Sequence, residues 1–351
     1  MKKLKSIRLI NGTFSYLLDL HVAKRATFIC IIAVLAFLLS GSFGESFISP
    51  INVIKAIFGY GDDYTQLVIN DFRLPRIIVA AFAGIALAVA GSVLQGMIKN
   101  PLASPDIIGI SAGGGAAVVG FLAIFSDLNH SLTVSIQWMP LAGFVGATLV
   151  GLVVYLLAWK DGVTPSRLVL IGLGVSIFLQ ALTTLLMIVG PIHLAAEAQK
   201  WIIGSVRTAE WHEVQIMVPV IIILLIILTF LERHLNVQDF GDETATGLGQ
   251  PVQKFRLTLI ILCSSLVASA IAFTGAIGFV GLIAPHIARR LVGSAFGLLI
   301  PTSAAIGAFL VIVADIIGRT AFNPLEVPAG VFTAAIGAPY FIYLLLKKPK
   351  N

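Results

Sequence analysis

The sequence predicts an all-α polytopic membrane protein: ten transmembrane helices, with both termini on the cytoplasmic side. Three observations predict it. Of 351 residues, 58% are hydrophobic and 11% charged, and the mean hydropathy is +1.00. A soluble domain carries roughly 25% charged residues, so no soluble core hides this much apolar surface. Apolar runs of about spanning length recur along the whole chain, and the basic residues fall unevenly on the two sides those runs define.

A spanning helix needs about 20 mostly apolar residues. Such runs lie at about 26–43, 76–97, 107–126, 138–159, 168–190, 214–231, 257–275, 282–292, 296–318 and 328–346. With the N-terminus inside, the cytoplasmic side receives seventeen of the 23 basic residues, from Lys2, Lys3, Lys5 and Arg8 to Lys347, Lys348 and Lys350. The outside keeps six: Lys55, Arg73, Arg76, Lys200, Arg207 and Arg319. Cytoplasmic loops carry the excess of Lys and Arg, and an odd number of crossings would leave the basic tail outside. The chain then divides into a cytoplasmic N-terminal segment (1–25), one transmembrane domain (26–346) and a cytoplasmic tail (347–351). About twenty-five positions precede the first run and no A-x-A cleavage site follows it, so that run reads as a retained helix.

The eighth run is the exception. "GAIGFVGLIAPHIARR" (275–290) places Gly275, Gly278, Gly281 and Pro285 in apolar sequence and closes on Arg289 and Arg290. Eleven helical residues, 282–292, rise about 16 Å, short of the roughly 30 Å hydrocarbon core. Two readings stay open. Gly275–Gly281 turns inside the bundle, where non-helical backbone is tolerated, and Leu282–Val292 descends to the cytoplasm; or an ordinary helix is kinked. Either way Arg289 and Arg290 reach the inner surface. The other glycines, Gly84, Gly91 and Gly109–Gly115 among them, read as sites of close helix packing.

The net charge of +6 is no nucleic-acid footprint, because its placement follows topology. Cys30 and Cys263 lie in apolar runs and read as buried, reduced thiols. The dipeptide Gly-Lys is absent and "SAGGGAAVVG" (111–120) does not fit G-x-G-x-x-G, so the chain has no phosphate cradle of its own. H-E-x-x-H and G-x-S-x-G are missing too, and the six histidines show no metal spacing. His286 reads as a hydrogen-bonded structural residue. Asp315 is the one clear ionisable residue within a span, and Arg319 lies on the same helical face for an internal pair. An ion-coupled secondary transporter carries more buried carboxylates. That scarcity points to energy supplied by another subunit.

Four stretches together carry a resemblance. They are "RLPRIIVAAFAGIALAVAGSVLQGMIKNPLASPDIIGISAGGGAAV" (73–118), "ETATGLGQP" (243–251), "GAIGFVGLIAPHIARRLVG" (275–293), and "ADIIGR" with "VPAGVFTAAIGAPYFIYLLL" (314–346). From about residue 27 onward the chain resembles the membrane permeases of bacterial ABC importers for iron–siderophore complexes, haem and vitamin B12, the FecCD-like, type II importer fold. The resemblance implies two permease subunits, two ATP-binding subunits and an extracytoplasmic substrate-binding protein. The translocation path would run between the permeases, lined by the fifth and neighbouring helices.

It also implies three sets of residues. Arg73 and Arg76 of "RLPR" and Arg319 of "ADIIGR" match positions that dock acidic residues of the binding protein. Pro75 between the first two fixes their direction at a helix start, and guanidinium forks suit carboxylates; charge alone leaves snorkelling at the interface open. Asp242, Glu243, Thr244, Ala245, Thr246, Gly247, Leu248 and Gly249, in the cytoplasmic loop of about 239–256, match the short helices that seat in a groove of the ATPase. Gly278, Gly281, Pro285, His286, Arg289 and Arg290 match the inner-end signature, which supports coupling rather than touching substrate. Residues 1–25 have no counterpart in the family, and their basic residues suit anionic lipid. The outside loop 44–72 carries no motif.

The expected function is an unpowered permease. No cofactor or metal binds this chain, ATP and Mg²⁺ act on a partner subunit, and no nucleic acid is involved. The family implies a ferric siderophore as substrate, with vitamin B12 or haem as alternatives. The scarcity of charge in the spans suggests a bulky ligand sliding past a low-affinity wall. The rival classes are an ion-coupled secondary transporter and an intramembrane enzyme, and no catalytic pair is evident for the latter.

Overall fold

The computed structural model describes residues 4–9, 14–126, 133–190, 198–199, 201–322 and 324–346. Tail residues Lys347, Lys348 and Lys350 lie outside that description, as does Lys200. The chain opens on a β-hairpin, strands β1 (Leu4–Leu9) and β2 (Phe14–Asp19), paired antiparallel from Leu4 opposite Asp19 to Leu9 opposite Phe14. This hairpin precedes the all-α domain, in a segment to which the sequence reading assigns no element: "IRL" and "FSY" supply the β-branched and aromatic residues that strands favour. Helix α1 (Leu20–Ser40) begins six residues before the first apolar run, because the Asp19 side chain caps it by accepting from the His21 amide at 3.0 Å.

There follow α2 (Pro50–Ile57), α3 (Asp63–Gln66) running through a π-helical stretch (Leu67–Arg73) into α4 (Leu74–Ile98), then α5 (Pro105–Ile108) and α6 (Ile110–Ile124). Next come α7 (Met139–Leu157), α8 (Pro165–Val189), α9 (Trp211–Asp239), α10 (Asp242–Gly247) and α11 (Val252–Thr274). The chain closes on α12 (Val280–Val292), α13 (Phe296–Thr320) and α14 (Ala329–Leu346). Each of the ten apolar runs coincides with one of the longer helices. Among the described residues seven helices are long and apolar enough to cross a membrane.

Helix α4 is the axis of the bundle and is buried along most of its length, with α11, α12 and α13 packed against it. Glycines permit the close crossings. A methyl group on Gly84 would collide with the Gly307 backbone of α13, and one on Gly91 with the Gly281 carbonyl of α12. Helices α1, α7, α8 and α9 lie outside and expose apolar side chains such as Phe28, Leu149, Ile177 and Ile223. Cys30 on α1 is therefore only half-buried, against the expectation, while Cys263 on α11 is buried.

Of the two readings of the eighth run, the break inside the bundle is the one that forms. Helix α11 stops at Gly275, whose φ of 67° suits glycine, and α12 resumes at Val280 after Phe279 in the left-handed region. The interrupted backbone finds partners in segment 201–205. The Ala276 amide donates to the Trp201 carbonyl at 3.0 Å, and the Ser205 amide to the Thr274 carbonyl at 2.7 Å. Backbone polar groups buried away from water need such partners.

Candidate functional sites at the two ends of the bundle

At the Arg73 end of α4, four arginines line a cavity of about 910 Å³: Arg73, Arg76, Arg207 and Arg319. The three expected docking arginines lie together, each with partners inside the chain. Arg73, 7% exposed, donates to the Gly41 carbonyl at 2.8 Å and the Ser46 carbonyl at 2.6 Å. Arg319, 4% exposed, donates to the Ser40 carbonyl at 2.8 Å and the Ser40 hydroxyl at 2.6 Å. Both therefore clamp the end of α1 onto the core.

Arg76 makes the ion pairs. Its guanidinium meets Asp315 at 2.8 Å and Glu326 at 3.1 Å. The expected Asp315–Arg319 pair is present at 3.6 Å, so Asp315 answers mainly to Arg76. Glu326 also pairs with Arg207 at 3.2 Å, and the Arg207 side chain is 63% exposed. The motif match did not include Arg207, yet it presents the most accessible guanidinium of the four. Its only signal in the sequence is its place among the six outside charges.

At the Lys99 end, the expected coupling residues form α10 and its exit. Asp242, Glu243, Thr244, Ala245, Thr246 and Gly247 make the helix, Leu248 caps it and Gly249 turns away with φ 80°. Ala245 is buried and anchors the helix, whereas Glu243, Thr244, Gly247, Leu248 and Gly249 face solvent. Two apolar side chains flank it in the open, Phe240 (79% exposed) and Leu248 (71%). Phe240 lies just before the matched stretch and was missed. Asp242 pairs with Arg256 at 2.9 Å.

The inner-end signature occupies the break and α12. Gly281 lies against Leu87 and Pro105, whereas Gly278 has open space around it. Pro285 is buried inside α12 and, lacking an N–H, leaves the Gly281 carbonyl without a helical donor. The His286 ring meets Tyr340 edge-on at 5.8 Å, in keeping with a structural role. Arg289 is half-buried, Arg290 is exposed, and Arg25 of α1 donates to the neighbouring Leu291 carbonyl at 3.4 Å.

A second cavity, about 400 Å³, opens between α6, α8 and the break, with Asp106, Ser111, Gln180, Thr183, Thr184 and Trp201 in its wall. The Ser111 hydroxyl donates to the Asp106 carboxylate at 2.6 Å. Asp106 brings a carboxylate to this wall. It sits one residue before an apolar run and so escapes a search of the runs themselves.

Apolar helices long enough to cross a membrane, with a charged cavity at one end of the bundle and a short helix presented at the other, define a multi-pass membrane protein. The chain belongs to the FecCD transport family, whose pattern matches residues 31–347. It is 54% identical over 310 residues to the Probable siderophore transport system permease protein YfhA of Bacillus subtilis, covering 88% of this chain and 90% of that one. It is 41% identical over 338 residues to the Achromobactin transport system permease protein CbrC of Dickeya dadantii, covering 96% and 95%. Among solved structures it resembles an inward-facing metal-chelate type ABC transporter, with a TM-score of 0.81 and 29% identity over 93% of this chain and all of the other. The protein is a multi-pass membrane permease of that transport family.

Proposed function

We propose that the chain is one permease subunit of an ATP-driven ABC importer that takes up ferric siderophores. Ten crossings with both termini in the cytoplasm place the Lys99 end inside, as seventeen of 23 basic residues favour. ATP and Mg²⁺ belong to two partner subunits, and this chain binds no cofactor or metal. A second permease, identical or a sister chain, completes the path. An extracytoplasmic binding lipoprotein delivers the ligand at the Arg73 end, with Arg76 and Arg207 nearest its acidic residues and Arg73 and Arg319 supporting the cavity floor. Residues 242–249 and Phe240 seat on the ATPase, and the Gly278–Arg290 segment braces that contact.

The observation that carries this reading is the polarity of the bundle. A charged receiving cavity and a presented short helix with bare apolar flanks stand at opposite ends of α4. An importer driven from inside and loaded from outside requires that arrangement. Its states would interconvert by rigid-body movement of helices. The relatives' siderophores and iron chelates suggest the substrate; vitamin B12 and haem are the alternatives within the fold. Growth of a deletion strain on a panel of iron chelates, with the gene restored on a plasmid, tests the substrate. Rescue on one or a few ferric siderophores is expected. Rescue only for vitamin B12 or haem would overturn the substrate assignment.

A further inference from the structure

One buried cation ties the presented helix to the turn that leads into α8. Arg256, in the second turn of α11, is 2% exposed. Its Nη2 donates to both oxygens of Asp242, at 2.9 and 3.2 Å. Its Nη1 donates to the Val163 carbonyl. Asp242 is the first residue of α10, and Val163 belongs to the turn between α7 and α8. Gln253 adds a parallel tie: the Val163 amide donates to its Oε1 at 3.0 Å, and the Tyr155 hydroxyl donates to its carbonyl at 3.1 Å. From the far side Arg167, in the first turn of α8, donates to the carbonyls of Ala158, Lys160 and Gly162 at 3.3, 3.1 and 3.4 Å. The turn at 158–164 is thus gripped by a cation from each direction.

Stability alone is a weak reason for this arrangement. A buried guanidinium is costly unless every donor is used, and Nε of Arg256 has no partner among the described residues. What the geometry does achieve is rigidity. A planar guanidinium holds a carboxylate and a carbonyl in fixed relation, which a lysine's point charge does not. Displacing α10 therefore drags the 158–164 turn, and Arg167 passes that displacement into α8. Helix α8 is the element that presents Gln180, Thr183 and Thr184 to the 400 Å³ cavity.

We propose that Arg256 is a positioning residue of the transport cycle, transmitting movement of α10 through Asp242 and the Val163 carbonyl to the cavity face of α8. The inference rests on the reading of α10 as the helix that meets the ATPase.

The test uses the complete importer in nanodiscs, with its ATPase subunits and binding protein. Cys30 and Cys263 are replaced by serine, and Thr184→Cys provides a thiol on the cavity wall. Its reaction rate with a membrane-impermeant maleimide is measured with and without a non-hydrolysable ATP analogue. In this background the nucleotide is expected to change the rate by a factor of about 5–150, the usual span of coupling between sites. Arg256→Met should abolish that change while ATP hydrolysis continues, and Arg256→Lys should restore part of it. Asp242→Asn, at a position about half exposed, should give the same loss, and the double variant should be no worse than either single one. A full nucleotide response in both Arg256→Met and Asp242→Asn would overturn the proposal. Should the Arg256→Met complex fail to assemble, Arg256→Gln, which keeps an amide donor, takes its place, and a full nucleotide response in it would overturn the proposal. Failure of the unsubstituted chain to retain an ATPase is a separate result, scored first, and strikes the underlying reading instead.

Discussion

Removing the Arg76 guanidinium by Arg76→Met keeps most of the side chain's bulk and deletes its charge. Asp315, with 3% of its side chain exposed, then loses contacts at 2.8 and 2.9 Å and keeps only Arg319 at 3.6 Å. Leaving a buried charge without its partner costs about 3–5 kcal/mol. The remaining Arg319 contact and the partial exposure of Arg76 place this case at the lower end, about 3 kcal/mol, or more than a hundredfold in the folding equilibrium. Asp315→Asn should cost less, about 2 kcal/mol, because Arg76 keeps Glu326 at 3.1 Å and an amide oxygen still accepts from a guanidinium. In the double variant no buried carboxylate is stranded. Its loss should fall short of the sum by about 1–3 kcal/mol, the range for residues in direct contact. Titration of the purified chain with sodium dodecyl sulfate, followed by circular dichroism, measures all four forms. Losses that add to within about 0.5 kcal/mol would refute the view that Asp315 depends on Arg76.

Gly91→Val should overpack the α4–α12 crossing, since a side chain there meets the Gly281 carbonyl. A loss of about 1–3 kcal/mol should show as reduced yield of monodisperse protein, whereas Gly278→Ala, facing open space, should be neutral in the same assay. Phe240→Asp with Leu248→Asp should abolish co-purification of the ATPase subunit without altering the circular dichroism spectrum, because both side chains are exposed. Arg207→Glu should weaken binding-protein affinity at least about tenfold in surface plasmon resonance at low salt and leave thermal stability unchanged, since an exposed pair is worth about 0–1 kcal/mol. Arg73→Met should do the reverse and lower stability first.

Much of the fold was legible because lipid leaves few choices. Hydrophobic length alone located the apolar helices, seven of which among the described residues are long enough to cross a membrane, and the break at Gly275 was visible as a run too short to cross. The short helix α10 was legible through its matched motif, and Ala245, Leu248 and Gly249 take different environments that no motif distinguishes. The arginines show where reading stops. Arg73 and Arg319 stand at helix ends like docking charges, yet beside Asp315 and the Ser40 hydroxyl their partners include backbone carbonyls of residues 40–46, and the Ser40 contact spans 279 residues of chain. A sequence shows a charge but not the carbonyl that consumes it. Asp106 and Glu326 escaped for a related reason: Asp106 sits in the four-residue helix α5 and Glu326 in the connector after α13, both outside the apolar runs, and only packing brings them to a cavity wall. The N-terminal hairpin carries only a few β-formers on each strand, a weak signal in a segment whose clearest feature is its basic residues.

The central claim is that this chain moves substrate only when a separate ATPase drives it. The direct measurement is uptake of a ⁵⁵Fe-labelled ferric siderophore into proteoliposomes holding the permease, alone or with its ATPase and binding protein. The expected result is uptake that requires all three components and ATP, with no response to a proton or sodium gradient. Gradient-driven uptake by the permease alone would contradict it.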